Sequence, residues 1–240
     1  MLTEEQKIFV KEHYGCIKAT KIAEELNVSI HSVYNFAKKE NLSRSLNPVF
    51  DITMEQNQIL LGGLLGDGSF KKNGSNYYYR ECHAIPEKDY LIWKFNKLGN
   101  MTTGKIYDIP ARVATQNPQV GLQTKNSPSI NKYANMTRKE AIKHLGELGL
   151  MIWILDDGWI RHHSKKCDIC VCAASFNNEE LQEMLNKMEE IGLLKCHVTG
   201  TRSPDISIPS LNNNLIKRIA YKYFSKDMDI IKKKINDLKG

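Results

Sequence analysis

Two apolar segments of this chain end in the dipeptide Asp-Gly, at Leu61–Gly68 and again at Leu150–Gly158. Neither segment has the polar stripe of a surface helix, so both are predicted to form helices that are buried on several sides. An aspartate in the last turn faces the negative end of the helix dipole, which costs about 0.3–1 kcal/mol. Because this costly placement occurs twice, Asp67 and Asp157 are predicted to have a function.

The two motifs begin segments that match each other at an offset of 90 residues, since 157 − 67 = 90. In this register Cys82 aligns with Cys172 without a gap. In both segments a strand-like stretch leads into an amphipathic helix, as the change from alternating to 3-4 apolar spacing indicates. The repeat predicts two similar half-domains. A pseudo-twofold axis between them would pack the two Asp-Gly helices together and place Asp67 beside Asp157.

Two neighbouring carboxylates suit a hard divalent cation, because Mg²⁺ prefers carboxylate, water and phosphate oxygens as ligands. Paired ions can activate a water molecule and stabilise the leaving oxygen of a phosphodiester. The motifs therefore predict a site for Mg²⁺ or Mn²⁺ at Asp67 and Asp157, together with the preceding residues Gly66 and Asp156. One buried helix that ends in Asp-Gly is explained by packing alone, but two copies in register favour a functional site.

On these motifs the chain resembles the single-chain, two-motif LAGLIDADG homing endonucleases, and its second motif, Trp153–Gly158, is similar to one branch of that family. The resemblance implies an α+β fold of two αββαββα halves, residues 53–136 and 137–225, whose antiparallel sheets form a saddle over the DNA major groove. It also implies that the acidic residue before each final glycine, Asp67 or Asp157, binds the metal ion. Both DNA strands would be cut to leave short 3′ overhangs.

The second motif departs from the family pattern in two ways. The first motif has the small residues that allow close helix contact, whereas the second has larger ones: Gly62, Gly63 and Gly66 align with Ile152, Trp153 and Asp156. Asp156 is also an alternative metal ligand. Pairing it with Asp67 would misalign the two terminal glycines, so Asp157 is preferred.

Family members often place a basic residue near each scissile phosphate, on the last strand of each half. Lys125 is the candidate in the first half, although taken alone it is more simply explained as an exposed loop lysine. The corresponding stretch of the second half, Ile208–Asn213, contains no Lys or Arg, so no residue is assigned there. The predicted catalytic residues are therefore Asp67, Asp157 and Lys125.

Residues 1–43 precede the repeat and are predicted to form three amphipathic helices, and residues 44–52 a linker. Thr3–Gln6 has the pattern of a capping box, and Asn27–Ser29 that of a short turn before the third helix. This arrangement predicts a helix-turn-helix whose third helix enters the major groove, although three such helices can also be a packing unit. The polar residues on its outer face are the predicted DNA contacts: His31, Ser32, Asn35, Lys38 and Lys39.

The chain is basic, with 34 Lys and Arg against 27 Asp and Glu and a formal charge of +7. A positive balance favours polyanionic partners such as double-stranded DNA. The residues on predicted strands that suit contacts with phosphates or base edges are Lys71, Arg80 and Arg161. Residues 226–240 are predicted to be a basic C-terminal helix, in which Lys232–Lys234 is explained equally well by a solvated helix end and by a phosphate contact.

Six cysteines raise the alternative of structural zinc, with Cys167, Cys170 and Cys172 near His162, His163 and Cys196. Their alternating spacing favours a strand with buried thiols instead. No secretory signal or membrane span is recognisable, so we expect an intracellular protein, either cytoplasmic or in an organelle matrix.

These features together predict a site-specific, metal-dependent double-strand DNA endonuclease. With both motifs on one chain, it is expected to act as a monomer on a target that need not be palindromic. Two alternatives remain on the same scaffold: a DNA-binding regulator without nuclease activity, and an intron-splicing maturase that binds RNA. The two carboxylates favour the enzyme, because a regulator has no chemical need for them.

Overall fold

The computed structural model of the chain describes residues 2–14, 18–42, 47–111, 117–163, 166–200 and 202–238. The chain divides into two compact units, Met1–Val49 and Phe50–Gly240. Residues 44–46 of the predicted linker lie outside the described residues. Within the described residues, no helix is both long enough and apolar enough to cross a lipid bilayer.

The first unit consists of three helices, α1 (Glu4–His13), α2 (Ala19–Glu25) and α3 (Ile30–Lys39). Thr3 and Gln6 form the expected capping box at the start of α1. Before α3, Asn27 takes a left-handed conformation with φ of 51°, and the Ser29 side chain accepts a hydrogen bond from the backbone of Ser32. The helices enclose a separate apolar core: Val10, Ala19, Ile22, Val33 and Ala37.

The second unit contains two successive sets of helices and strands, and each set begins with one of the motif helices. The first set is α4 (Met54–Leu65), β1 (Ser69–Asn73), β2 (Asn76–Ala84), α5 (Lys88–Leu98), β3 (Tyr107–Ile109), β4 (Gln119–Gln123) and α6 (Pro128–Ala134). After α7 (Arg138–Lys143), the second set is α8 (Glu147–Asp157), β5 (Gly158–His162), β6 (Cys167–Cys172), α9 (Asn178–Ile191), β7 (His197–Thr199), β8 (Asp205–Ile208) and α10 (Asn213–Tyr223).

Each set forms one four-stranded antiparallel sheet, with the orders β1-β2-β4-β3 and β5-β6-β8-β7. The register of the first hairpin recurs in the second: Ser69 pairs with Arg80, and Trp159 pairs with Cys170. The paired residues of the two hairpins thus differ in number by 90 on both strands, since 159 − 69 = 90 and 170 − 80 = 90. The repeat that the sequence predicts is therefore present in the backbone pairing of the first two strands of each sheet.

The motif helices α4 and α8 pack directly against each other. A β-carbon added at Gly62 would lie 2.6 Å from the carbonyl oxygen of Gly149 and 2.8 Å from Ile152. These distances are shorter than a normal van der Waals contact, so the helices approach this closely only because Gly62 has no side chain. Small residues on one helix therefore accommodate larger residues on the other.

The predicted C-terminal helix of residues 226–240 corresponds to a three-residue α-helix, α11 (Asp229–Ile231), and a π-helical turn, Lys232–Asn236. Ile230, Ile231 and Ile235 are fully buried in the same core as the motif helices. Their burial explains why this basic segment packs into the core of the second unit instead of forming a solvated helix. Residues 239–240 lie outside the described residues.

Replacing Gly62 with Ala tests this close contact. We expect the free energy of unfolding to fall by about 1–3 kcal/mol, because the added methyl group overpacks the interface of α4 and α8. Gly146→Ala is the matched control, since a β-carbon there would first meet the flexible side chain of Gln58 at 3.3 Å. Urea unfolding of both variants would measure the difference, and equal stability of the two would contradict the close contact.

Candidate metal centre

The acidic ends of the two motif helices meet. Asp67 follows Gly66, the C-cap of α4, and Asp157 is the last residue of α8. The backbone N–H of Asp67 donates to Oδ2 of Asp156 at 3.4 Å. A β-carbon at Gly66 would lie 2.7 Å from Cβ and Oδ2 of Asp156, so the absence of a side chain at Gly66 makes room for this carboxylate.

Three side chains at this point could share a metal ion. The ligand atoms of Asp67, His83 and Asp156 all lie within 4.8 Å of one another. Among the described residues, no other set of three His, Cys, Asp or Glu side chains is placed this closely. The predicted cysteine cluster does not form such a group in the described part of the chain. The carboxylate of Asp67 is 42% exposed, whereas that of Asp156 is fully buried.

The pKa values of both motif aspartates are raised. Burial and the charge of Asp156 raise the pKa of Asp67 to about 7 and the pKa of Asp157 to about 6. Crowded, partly buried carboxylates repel one another, and a divalent cation between them would relieve that repulsion. Carboxylate oxygens are also the ligands that Mg²⁺ and Mn²⁺ prefer, so these residues fit such an ion.

A buried network of charged and phenolic groups lies beneath the first motif. The ammonium of Lys94 bonds to Glu81 and to both carboxylate oxygens of Asp156, at 3.0 and 3.2 Å. The hydroxyl of Tyr90 donates to Oδ1 of Asp156 at 2.9 Å, and that of Tyr79 donates to Glu81. The side chains of Lys94, Glu81 and Asp156 are all fully buried, so Lys94 compensates two charges that could not otherwise remain in the core.

His83 joins this network to Asp67. Its Nε2 lies 2.5 Å from Glu81, and its Nδ1 lies 3.2 Å from Glu87 and 3.7 Å from Asp67. Burial lowers the pKa of His83, but hydrogen bonds to Glu81 and Glu87 outweigh that effect and raise it to about 10. Both ring nitrogens therefore lie against carboxylates, and the raised pKa favours the form of the ring that donates from both nitrogens.

The described residues of the second half have no equivalent network at the matched positions. At the 90-residue offset, Glu81, His83 and Lys94 correspond to Val171, Ala173 and Met184, which are buried apolar residues. The predictions from sequence missed these three residues. The sequence does contain an indication of the network, because the repeat aligns these charged side chains of the first half with apolar residues of the second half.

Among the described residues, none of the predicted basic residues of the second unit forms an ion pair with Asp67, Asp156 or Asp157. The exposed ammonium of Lys125 donates to the backbone oxygen of Asn100 at 2.8 Å and forms no ion pair with a described carboxylate. Lys71 is exposed on β1. Arg80 alternates with buried neighbours on β2, so it faces away from the core. Arg161, on β5, donates to the hydroxyl of Ser207 at 2.9 Å.

The predicted contact residues of the first unit lie together on α3. His31, Asn35, Lys38 and Lys39 are exposed, and Ser32 is partly buried. Because Val33 and Ala37 of the same helix are buried, these polar residues occupy its outer face.

Residues 57–234 match the sequence profile of the LAGLIDADG DNA endonuclease family. Two curated relatives, both named Protein RecA, come from Mycolicibacterium flavescens and Mycolicibacterium chitae, and they are 29% identical over 137 residues and 28% identical over 142 residues. The matches cover 50% and 52% of this chain. Since they cover 32% and 34% of the relatives, the chain spans about a third of the length of those proteins.

Among solved structures, the homing endonuclease I-WcaI bound to its DNA recognition sequence is similar, with a TM-score of 0.63 and 19% identity. The similarity covers 82% of this chain and 90% of that protein. It establishes a shared fold. The mixed α and β architecture with two antiparallel sheets, which the resemblance implied, is therefore confirmed.

Replacing Lys94 with Met tests the buried network. The change leaves Glu81 and Asp156 without their shared cation, so we expect a loss of about 3–5 kcal/mol in the free energy of unfolding. Lys97→Met, on the same helix, removes a 39% exposed lysine that is paired with Glu55 at 2.8 Å, and it should cost about 1 kcal/mol or less. Chemical unfolding would compare the two, and similar losses would refute the proposed role of Lys94.

Proposed function

The chain belongs to the LAGLIDADG DNA endonuclease family, and on that premise we propose that it is a site-specific double-strand DNA endonuclease of the homing type. The observation that carries this proposal is the meeting of the two motif helices at an acidic cluster. A carboxylate from each motif, Asp67 and Asp157, has a pKa raised by burial and by the charge of Asp156. With both motifs on one chain, a monomer would cut a target that need not be palindromic.

Asp67 and Asp157 are the residues proposed to hold Mg²⁺ or Mn²⁺. The bound ions would supply activation of the attacking water and charge stabilisation of the leaving oxygen. The protein itself contributes the position of the backbone at Asp67, because the N–H of Asp67 donates to Asp156 and Lys94 holds Asp156 in place. Residues that are fixed before substrate binds lose little entropy in the reaction, which favours catalysis.

The faces of the two sheets that point away from the helices are the proposed DNA surface. Arg80 and Arg161 lie on these faces, and Lys71 extends the positive charge along β1. Guanidinium groups can contact phosphates or bind guanine edges in the major groove. Lys125 is proposed as a further basic contact, since it is exposed beyond the end of β4.

The first unit is proposed to be a helix-turn-helix module that strengthens DNA binding. Its α3 follows a short turn and is capped by Ser29, and its outer face carries Lys38 and Lys39. A basic outer face on the helix that follows the turn is suited to the major groove.

A DNA-binding regulator without nuclease activity is the second candidate. The observation that favours it is a set of buried ion pairs, in which Lys94 and His83 lie against Asp156 and Glu81. These pairs balance the buried negative charges of Asp156 and Glu81 without a metal ion. An RNA-binding maturase is the third candidate on this scaffold. Cleavage and binding experiments separate all three.

The central test uses DNA duplexes randomised over a long stretch, incubated with protein in Mg²⁺ or in Ca²⁺, after which bound and cut molecules are sequenced. We expect cuts at a defined site with 3′ overhangs in Mg²⁺. Asp67→Asn and Asp157→Asn should each slow cutting by roughly 10²–10³-fold while binding in Ca²⁺ persists, because each removes a charged ligand of the proposed metal ion. Asp227→Asn, at an exposed aspartate, is the control.

Specific binding without cutting in either metal ion would support the regulator instead. Selective binding of structured RNA, with no selected DNA site, would support the maturase. Cutting that survives both motif substitutions would exclude Asp67 and Asp157 as metal ligands.

The salt dependence of DNA binding tests the role of α3. Replacing Lys38 and Lys39 together with Met should reduce the slope of log K against log salt by about 2, since each lost phosphate contact contributes about 0.9. Lys7→Met is the control, because Lys7 is already paired with Glu4 on α1. A slope equal to that of the wild-type protein would show that α3 does not contact phosphates.

A further inference from the structure

An exposed tryptophan follows the second motif. Trp159 is the second residue of β5 and lies two positions after Asp157, and 42% of its side chain is exposed. Its neighbour Gly158 is buried, and Ile160 packs against the apolar core. Because side chains alternate along a strand, Trp159 stands on the opposite face of the sheet, which is the proposed DNA surface. Tryptophan is highly buried on average in folded proteins, so an indole on this face is a candidate for contact with the duplex.

The strands beside Trp159 give it a surroundings with little unpaired charge. Cys170 lies directly opposite it on β6, and Ser207 lies opposite Cys170 on β8. Cys170 is fully buried although it does not belong to the apolar core, so side chains of the outer face cover it. The guanidinium of Arg161 donates to Ser207 at 2.9 Å and lies 3.9 Å from Asp168. This part of the surface therefore offers an apolar ring rather than an unpaired charge.

The first half has a small polar side chain at the matched position. Ser69 aligns with Trp159 at the offset of 90 residues, and its hydroxyl donates to the backbone oxygen of Arg80 at 3.3 Å. Arg80 in turn aligns with Cys170. The outer face next to the first motif thus carries a serine and an arginine, whereas the face next to the second motif carries an indole and a buried thiol. The two faces therefore suit different groups on DNA.

The position of Trp159 in the chain keeps it near the phosphate that the second motif would cut. Two residues of an extended strand span about 6.6 Å, and successive base pairs are about 3.4 Å apart. The indole would therefore reach a base within roughly two base pairs of that phosphate. The apolar group that bases present in the major groove is the 5-methyl group of thymine. Contact between this methyl group and an indole removes apolar surface of both partners from water, which is favourable.

We propose that Trp159 is a specificity-determining residue, which recognises the methyl group of a thymine beside the cut made by the second motif. This inference rests on the proposed function, in which the sheets bind DNA. Because the first half has Ser69 at the matched position, the preference for thymine is confined to one side of the target. The contact also favours DNA over RNA, since uracil lacks the methyl group.

Selection of randomised DNA duplexes in Ca²⁺ locates the thymine. The library is bound by the wild-type protein and by Trp159→Ala, and the bound molecules are sequenced. The wild type should enrich thymine at one position on the side of the second motif, and Trp159→Ala should lose that preference while the rest of the site is kept. Leu194→Ala is the matched control, because Leu194 is a 52% exposed apolar residue that follows α9 instead of lying on β5.

Removal of the methyl group is the decisive measurement. The thymine at that position is replaced with uracil, and affinities are measured in Ca²⁺. The wild type and Leu194→Ala should bind the uracil duplex about fourfold more weakly, as expected for the loss of one buried methyl group, and Trp159→Ala should bind both duplexes equally. Trp159→Phe keeps an aromatic ring and should retain most of the discrimination. Equal binding of the two duplexes by the wild type, or discrimination that persists in Trp159→Ala, would overturn the proposal.

Fluorescence shows whether the indole enters the interface. Trp153 is fully buried and Trp93 is partly buried against the core, so acrylamide should quench mainly Trp159 in the free protein. Binding of the target duplex in Ca²⁺ should reduce quenching in the wild type and leave quenching in Trp159→Phe unchanged. Unchanged quenching of the wild type, while the anisotropy of a labelled duplex shows that it is bound, would overturn the proposal.

The binding readout separates this inference from the endonuclease activity. Discrimination between thymine and uracil without any cutting in Mg²⁺ would refute the nuclease function alone and support the role of Trp159. Failure of the protein to bind any duplex would overturn the proposed function and this inference together.

Discussion

The close packing of α4 against α8 is the constraint on which the rest of the second unit depends. Gly62 lets the backbone of α8 approach at Gly149, and Gly66 leaves space for the carboxylate of Asp156. The approach also brings the negative ends of both helix dipoles together with the acidic side chains that follow them. Such a concentration of negative charge is unfavourable unless cations are near. The fold supplies them as Lys94 from α5 and Lys234 from the C-terminal segment.

The two halves therefore share a backbone plan and differ in their electrostatics. The strand register repeats at an offset of 90 residues, yet the first half buries Glu81, His83 and Lys94 where the second buries apolar side chains. A buried ion network is sensitive to the loss of a single member, whereas an apolar core tolerates volume-conserving changes. We infer that substitutions at matched positions of the repeat will have unequal effects, with the larger losses in the first half.

The sequence predicts the parts of this structure that depend on local pattern. The motif helices, the Ser29 cap of α3, and the repeat all follow from spacing and residue type. Contacts between distant segments could not be obtained in this way. Lys94 lies within an apolar stripe between Leu91 and Leu98, and Lys234 lies between Ile231 and Ile235, so each has the spacing of a buried residue. Only the tertiary fold determines which carboxylate or carbonyl each lysine meets.

The same contacts indicate which carboxylates are available to a metal ion. By distance alone, the candidate ligands are Asp67, His83 and Asp156. Asp156, however, already accepts hydrogen bonds from Lys94 and Tyr90, and the two ring nitrogens of His83 are held by Glu81 and Glu87. A metal ion would have to displace these partners inside the core, which would leave buried charges uncompensated. Asp67 and Asp157, one from each motif, are the carboxylates that a metal ion could bind without this cost. The hydrogen-bond partners of the neighbouring residues therefore favour this pair as ligands over the three residues that lie closest together, Asp67, His83 and Asp156.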